Sequence, residues 1–363
     1  MIRLSLLQFR TQAVIALVTT AAYAVVLAVT GPGLASMYAA DGLSSCRGGS
    51  CQEMADYFTG SLIHTLYGVL WPLSEGVIVL APAVIGLFWG APLIARELEA
   101  GTSALAWNQS VTRTRWLAVK LIVGALAAMA VTEALCLMQT WWAAPISRAV
   151  AQGASVGVGQ SRFAELNFAT HGITPLGYAA LAFALGLTAG ALIRRTTPAM
   201  ALTLAIFAAL QVAMPLWVRP NLAPPDHTIR PVTSLGNALP QQTGPGGTTF
   251  TLYAKIIPGQ PGAWILSSGP VDAAGHATRT TPAACTSVGN TGTSTGANGS
   301  SSPAGTGPSA VVDCLASHGI REAITYQPAS RYWRFQWTET AIYLALALGL
   351  AGYCFRRLRR LRC

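Results

Sequence analysis

The stretch Arg96-Glu97-Leu98-Glu99-Ala100-Gly101-Thr102 is a charged segment between two apolar runs, and it decides how the rest of the chain can fold. The runs on either side, 71–94 and 116–142, are each near the roughly twenty residues that a helix needs to cross about 30 Å of hydrocarbon. Each run therefore predicts a membrane-spanning helix. The charged segment continues to Arg113-Thr114-Arg115, so residues 95–116 form a connection at one membrane surface.

The composition is that of a membrane protein. Of the 363 residues, 52% are apolar and only 10% are charged. The net charge of +10 does not indicate nucleic-acid binding, because the basic residues cluster at the ends of apolar runs and not in a patch with interleaved aromatic residues.

Apolar runs of similar length recur along the chain and give six predicted spans. They cover 13–29 (ended by Gly31-Pro32-Gly33), 71–94, 116–142, 175–193 (ended by Arg194-Arg195), 198–218 and 337–355. The sequence therefore predicts an all-α polytopic membrane protein, with the first five of six transmembrane helices in residues 13–218.

Residues 1–12 carry Ile2, Leu6 and Phe9 at helical spacing, which predicts an interfacial amphipathic helix. The alternative is the frayed start of the first span. A cleaved signal peptide is a further alternative, although the apolar run is long for one and no clear small-x-small site follows closely.

Orientation follows from Lys and Arg in the short connections, which favour the cytoplasmic side. Thirteen basic residues lie on one side: Arg3, Arg10, Arg96, Arg113, Arg115, Lys120, Arg194, Arg195, Arg356, Arg357, Arg359, Arg360 and Arg362. Three lie in the short connections on the other side: Arg47, Arg148 and Arg162. Both termini, the connection 95–116 and the basic tail 356–363 are therefore predicted to be cytoplasmic.

The long connection 219–336 is predicted to be an extracellular insertion. Thr249 to Ile257 alternates in the manner of a strand, and Trp264 to Leu266 is short and apolar. Turn-rich and low-complexity segments surround both runs. A small region that is partly β and partly disordered is therefore expected between helices five and six.

Four cysteines lie in the predicted extracellular segments, two in each. An oxidising compartment allows such cysteines to pair, which predicts the disulfides Cys46–Cys51 and Cys285–Cys314. The alternative is that all four are free thiols. Cys136 and Cys354 lie within predicted spans, where no pairing is expected.

Motifs for chemistry are absent from the sequence. It contains no phosphate-binding loop, no zinc-ligand spacing and no nucleophile elbow. No catalytic residue, metal site or cofactor is therefore predicted, and the chain is not expected to be an enzyme. The histidines are scattered and are expected to have surface roles: His64, His171, His227, His276 and His318.

Three carboxylates lie within the predicted spans. A charge at the bilayer centre costs at least about 2.5–3.5 kcal/mol, so such residues usually face a cavity or a partner. Glu75 and Glu339 are near span ends and are predicted to be interfacial anchors, as is Trp71. Glu133 is deeper and is a candidate for lining a translocation path. Two Gly-x-x-x-Gly pairs, at Gly86 and Gly186, would permit close helix packing.

The charged connection has local structure of its own. Gly101-Thr102 breaks the second helix, and Thr102 is placed to cap a short helix over 103–109. Leu105 and Trp107 would be the apolar contacts of that helix.

These residues resemble the cytoplasmic loop of type-2 ATP-binding-cassette exporter permeases, particularly actinobacterial ones. The similarity is carried by 96–102 and by Leu105-Ala106-Trp107-Asn108-Gln109-Ser110-Val111-Thr112-Arg113-Thr114-Arg115-Trp116. Residues 190–201 resemble that group's turn between spans four and five, and 326–339 its segment before the last span. The connection 219–336 departs from the family, in which this loop is usually a short hydrophobic hairpin.

The resemblance implies a function for the connection. In the family a coupling helix between spans two and three docks on a separate ATPase subunit, which binds the ATP. Carried onto this sequence, the ATPase-coupling residues are Glu97, Glu99, Gly101, Thr102, Leu105 and Trp107. The resemblance further implies a second permease copy or paralogue, export driven by ATP hydrolysis, and a place in the bacterial plasma membrane.

Two other functions remain open at this point. A polytopic membrane enzyme would need converging acid, base or metal groups in the outer connections, and the sequence has none at convincing spacing. A membrane-anchored extracellular binding or sensor protein would keep its function without the connection 95–116. The substrate is not encoded in any recognisable motif.

Overall fold

The computed structural model describes two compact units, residues 1–222 with 330–363 and residues 223–329. Structure is described for residues 10–46, 51–99, 113–154, 161–232, 240–244, 247–250, 257, 260, 262–278, 285 and 308–360. The first unit is a helical bundle and the second is a small region with β-strands.

Six helices of the described chain are long and apolar enough to cross a membrane, which confirms the predicted number. These spans are Arg10–Ala40, Leu66–Arg96, Leu117–Trp142, Thr174–Ile193, Thr196–Asn221 and Ala329–Arg357. Many of their large apolar side chains are exposed, such as Leu17, Leu80 and Leu348. A bilayer accommodates such a surface, because lipid tails are as apolar as leucine.

The helices of the first unit are numbered in chain order. They are α1 (Arg10–Ala40), α2 (Cys51–Leu62), α3 (Leu66–Ile85), α4 (Ala91–Glu99), α5 (Arg113–Trp142), α6 (Ala144–Ala151), α7 (Glu165–Thr170), α8 (Thr174–Ile193), α9 (Thr196–Ala213) and, after the second unit, α11 (Tyr332–Arg360). A π-helical turn, Gly86–Gly90, joins α3 to α4 within the second span, and another, Met214–Val218, continues α9.

Two ends of the bundle are distinguished by their connections. The loop side carries the connections 41–65 and 143–173, where Trp142 Nε1 donates a hydrogen bond to Thr30 Oγ1 at 2.9 Å. The turn side carries the Arg194-Arg195 turn and the end of α4. There Gln12 Nε2 donates to the carbonyl oxygen of Phe88 at 2.9 Å, which ties the start of the first span to the second.

The first span is longer than predicted, because α1 continues through Gly31-Pro32-Gly33 to Ala40. The prediction that these residues end the helix is wrong. A side chain at Gly31 would lie 3.0 Å from the Trp141 ring, and one at Gly33 would collide with the Tyr67 hydroxyl. The two glycines therefore allow neighbouring helices to pack closely. The proline between them is tolerated because neighbouring helices can satisfy the backbone groups that it leaves without a hydrogen bond.

The fourth span, α8, is the centre of the bundle. Nearly all of its side chains are buried, and they are mostly Ala, Gly and Leu, which allow neighbouring helices to approach on every side. The second span crosses it at two Gly pairs. A side chain at Gly90 would lie 2.7 Å from the Phe183 carbonyl oxygen, and one at Gly186 would collide with the Gly86 carbonyl oxygen. The two Gly-x-x-x-Gly motifs thus face each other at this crossing.

The helix of the sixth span, α11, begins at Tyr332, earlier than the predicted residue 337. Gln336 explains the earlier start, because its fully buried amide forms hydrogen bonds to the backbone around the start of α8. Its Oε1 accepts from the backbone N–H groups of Ile173 and Thr174 at 3.0 and 3.1 Å. Its Nε2 donates to the His171 carbonyl oxygen at 3.0 Å. Polar residues therefore continue the helix where a count of apolar residues would end it.

The second unit contains a three-stranded antiparallel sheet in the order β1–β5–β4. Its strands are β1 (Asp226–Pro231), β4 (Trp264–Val271) and β5 (Arg321–Gln327), while β2 (Pro240–Gly244) and β3 (Gly247–Phe250) form a separate hairpin. The helix α10 (Pro308–Ser317) precedes β5. The predicted run 264–266 lies in β4, whereas residues 251–256 lie outside the described part. Residues 219–222 and 330–336, which lie within the predicted insertion 219–336, belong to the first unit.

Candidate functional site

The turn side brings the end of the second span against the start of the fifth. The Glu99 carboxylate accepts from the Thr196 hydroxyl at 2.8 Å and from the Thr196 backbone N–H at 3.3 Å. Thr196 is the first residue of α9, where unpaired N–H groups favour a negative charge. Glu99 is nevertheless exposed, so its side chain remains accessible at this surface.

Most of the predicted coupling residues cannot be placed beside Glu99. Gly101, Thr102, Leu105 and Trp107 lie outside the described residues. Glu97 is in α4, and its side chain is also outside the described part. The predicted short helix and its contacts therefore stay predictions.

An ion pair is buried at the loop side between the fifth and sixth spans. Arg219 Nε donates to Glu339 Oε2 at 2.9 Å, and Arg219 Nη2 donates to Glu339 Oε1 at 3.1 Å. The Tyr178 hydroxyl of the fourth span donates to the same Oε1 at 2.6 Å. The guanidinium also lies 4.0 Å from the centre of the Phe168 ring, a cation–π distance.

The prediction that Glu339 is an interfacial anchor is therefore wrong. Glu339 is 0% exposed, and Arg219, which was assigned to the long connection, is 1% exposed. The signal that could have found the pair was a basic residue at the end of one span and an acidic residue at the start of the next. Glu75 and Trp71, the other predicted anchors, are buried as well.

A cavity of about 500 Å³ opens at the loop side of the first unit. Its apolar wall is formed by Leu137 of α5, Ile146 of α6 and Ile173 before α8, and aromatic rings add to it. Trp71 stacks on the His171 imidazole with ring centres 6.4 Å apart. The polar and aromatic residues that line the cavity are Trp71, Glu133, Cys136, Thr140, Ser147, Arg148, Arg162, Asn167, His171, Tyr332 and Trp333.

Glu133 and His171 of the cavity lining each carry a buried atom, Oε2 and Nε2 respectively, without a hydrogen-bond partner in the described part of the chain. His171, one of the histidines expected to have a surface role, is partly buried and lines this cavity, and no sequence spacing singled it out. Glu133, the candidate for a translocation path, lines the cavity, but its part in transport stays a prediction.

The hydrogen bonds of His171 define its neutral form. Its Nδ1 lies 3.0 Å from the Asn167 carbonyl oxygen, which can only accept, and this assigns the proton to Nδ1. The Thr170 hydroxyl, also 3.0 Å from Nδ1, donates its own proton to the Leu166 carbonyl oxygen at 2.9 Å and is therefore consistent with this tautomer. Burial lowers the pKa of His171 below its usual range. The neutral ring then presents Nε2 as a hydrogen-bond acceptor.

Both disulfides expected from the cysteine distribution are present in the structure, Cys46–Cys51 and Cys285–Cys314. His318 lies beside the second, with Nδ1 at 3.9 Å from Cys314 Sγ. Among the described residues, Cys285, Cys314 and His318 form the group with spacing for a metal ion. The two sulfurs are bonded to each other, and a metal ligand must be a thiolate, so the oxidised pair does not bind a metal.

Comparison with known proteins gives a family. A family model described as ABC-2 membrane transporter related matches residues 17–219, which is more than half of the chain and includes all or most of each of the first five spans. No curated protein and no solved structure gives a significant match. With six helices in its described part able to span a membrane, the chain belongs to the ABC-2 membrane transporter related family, as a multi-pass permease of the ABC-2 type.

Proposed function

We propose that this chain is the membrane-spanning permease subunit of an ATP-driven exporter in a bacterial plasma membrane. A separate ATPase subunit binds and hydrolyses the ATP, and this chain performs no covalent chemistry and needs no cofactor. A second permease copy or paralogue completes the transmembrane part. The observation that carries the proposal is the family match over 17–219. Export is favoured because the motifs at 96–116 resemble those of exporter permeases.

The proposed docking surface for the ATPase is the connection 95–116. Glu97, Glu99, Gly101, Thr102, Leu105 and Trp107 are its proposed contact residues. The hydrogen bonds from Thr196 to Glu99 support a docking surface at this connection, because a force applied at Glu99 would act on the second and fifth spans together. Both termini are proposed to lie on the same, cytoplasmic, side.

Affinity purification of the tagged permease from its native membranes tests the partner. We expect an ATPase subunit that carries a phosphate-binding loop to be retained. Glu99→Arg should lower the retained ATPase at least about fivefold, since reversing one interface charge typically costs on the order of 1 kcal/mol or more. Glu53→Arg is the matched control, because Glu53 is an exposed carboxylate on α2 at the loop side.

Thr196→Val separates docking from packing within the permease. This variant removes the hydroxyl that donates to Glu99 but leaves the Glu99 charge in place. Unchanged ATPase retention in Thr196→Val with a loss in Glu99→Arg would support direct docking. Full retention in Glu99→Arg, or function that survives deletion of 100–112, would reject the proposed coupling and favour a membrane-anchored binding protein.

A further inference from the structure

The loop-side cavity has the size and the walls of a small-molecule site. Its volume of about 500 Å³ lies within the range of roughly 300–1,000 Å³ that is usual for ligand pockets. The lining is mostly apolar and includes the Trp71 and Trp333 indoles and the Tyr332 phenol. A ligand with an apolar or aromatic body would therefore be desolvated on several sides.

The unsatisfied polar atoms of the cavity are hydrogen-bond acceptors. Glu133 supplies a carboxylate oxygen, and His171 supplies the Nε2 lone pair of its neutral ring. A buried acceptor without a donor carries a desolvation penalty, and the penalty is larger for a charged group. A group that satisfies either atom must donate hydrogen bonds, and one that pairs with Glu133 should carry positive charge.

The arginines at the cavity do not reverse this preference. Arg148 and Arg162 also line it, but both are exposed to solvent. Salt screens interactions between exposed charges over distances beyond about 10 Å, and the buried Glu133 oxygen is screened much less than either exposed guanidinium. Aromatic faces add attraction for a cation, and three aromatic side chains line the same space.

We propose that this cavity binds an organic cation, a compound with an apolar or aromatic body and an ammonium group, and that compounds of this class are the transported substrates. The ammonium group hydrogen-bonds to Glu133 and His171, and the body lies against Trp71, Tyr332 and Trp333. The substrate part of this inference rests on the proposed transport function. The binding part can be tested without the ATPase.

Three fluorescent probes that differ only in their head group test the inference. They share a dansyl group and an alkyl chain that ends in a primary ammonium (dansylcadaverine), in its neutral acetamide, or in a carboxylate. The full-length permease is placed in nanodiscs, empty nanodiscs correct for partitioning into lipid, and energy transfer from tryptophan to dansyl reports binding. We expect the ammonium probe to bind at least about tenfold more tightly than the acetamide, as for a gained charge-assisted hydrogen bond.

Variants assign the preference to the cavity. Glu133→Gln keeps the shape of the side chain and removes its charge, so it should abolish the preference for the ammonium probe and leave acetamide binding unchanged. Glu165→Gln is the matched control, because Glu165 is exposed on α7 and does not line the cavity. Trp333→Ala should weaken all three probes, since it removes part of the wall that the body contacts.

The outcomes separate this inference from the proposed function. Equal binding of the three probes to the wild type, or an ammonium preference that persists in Glu133→Gln, would overturn the inference. If the permease retains an ATPase but binds the probes equally, the substrate class is wrong and the transport function stands. If no ATPase is retained and the ammonium preference is present, the cavity is a cation site in a protein with another role.

Discussion

Removal of one member of the Arg219–Glu339 pair should destabilise the bundle far more than removal of both. The two side chains are 1% and 0% exposed and are joined by two hydrogen bonds. In Glu339→Leu the guanidinium stays charged, because arginine does not lose its proton in proteins. It would keep only the Phe168 ring as a described contact, and the Tyr178 hydroxyl would lose its acceptor.

The expected magnitude follows from these losses. A buried charge whose partner is removed typically costs about 3–5 kcal/mol of stability. In the double variant, Arg219→Met with Glu339→Leu, no charge remains and the apolar side chains fill much of the same volume. Its unfolding free energy should therefore return to within about 1–2 kcal/mol of the wild type, because well-packed apolar replacements of buried pairs are often neutral.

The four proteins form a double-mutant cycle, measured by reversible unfolding in mixed micelles with increasing dodecyl sulfate. We expect an interaction energy above about 2 kcal/mol, in the upper part of the range for residues in direct contact. Glu339→Gln should be intermediate, since it keeps hydrogen-bond acceptance and removes the charge. Single variants that cost less than about 1 kcal/mol, or a double variant equal to the sum of the singles, would refute the role assigned to the pair.

Two further predictions concern packing. Gly90→Ala should destabilise the bundle by about 1–3 kcal/mol, since its methyl group would lie 2.7 Å from the Phe183 carbonyl oxygen. Gly349→Ala is the control, because its methyl group would meet no atom within 4 Å, and it should be neutral or slightly stabilising. The same unfolding assay checks both variants, and equal stability of the two would contradict the close contact between the second span and α8. Gln336→Leu should cost about 2–4 kcal/mol, because it leaves buried backbone groups near His171 unsatisfied. Thr338→Val should cost little, since the hydrogen bonds described for the Thr338 hydroxyl go to carbonyl oxygens of its own helix.

The sequence was sufficient to predict the six spans but not the contacts among them. Apolar runs of about twenty residues are a local signal, so counting them works without knowledge of neighbours. Gly31-Pro32-Gly33 predicts the end of the first span, whereas the helix continues to Ala40. In a bilayer those glycines instead permit close packing against Trp141 and Tyr67. Spacing alone cannot distinguish these two roles.

The buried polar residues were the least predictable part. Glu339 and Arg219 are 120 positions apart and belong to different spans, so no local pattern joins them. Hydropathy puts Glu339 near a span end, which favours an interfacial position, and puts Arg219 in the long connection. His171 was likewise one of five scattered histidines, and only the packed structure brings it to the same cavity as Glu133. Position along a span can be predicted from sequence, whereas complementary charges at the ends of two spans form a pair only when packing brings those ends together.

One helix joins the two ends of the bundle. A straight helix of 20 residues spans about 30 Å, so α8 reaches from the turn side to the loop side. Near its turn-side end, Gly186 and Gly190 leave no space for a side chain between α8 and the second span, which ends at the connection 95–116. Near its loop-side end, Tyr178 donates to Glu339.

Contacts this close transmit a displacement of one helix to its neighbour, because a close-packed interface of small residues is hard to compress. Under the proposed function, a force on the connection 95–116 would therefore move α8 as a body. Ile173, at its loop-side start, would move with it and change the wall of the cavity. Gly90→Ala then has a second consequence besides lower stability. It should weaken the effect of ATP hydrolysis on probe binding in the assembled complex, whereas Gly349→Ala should not.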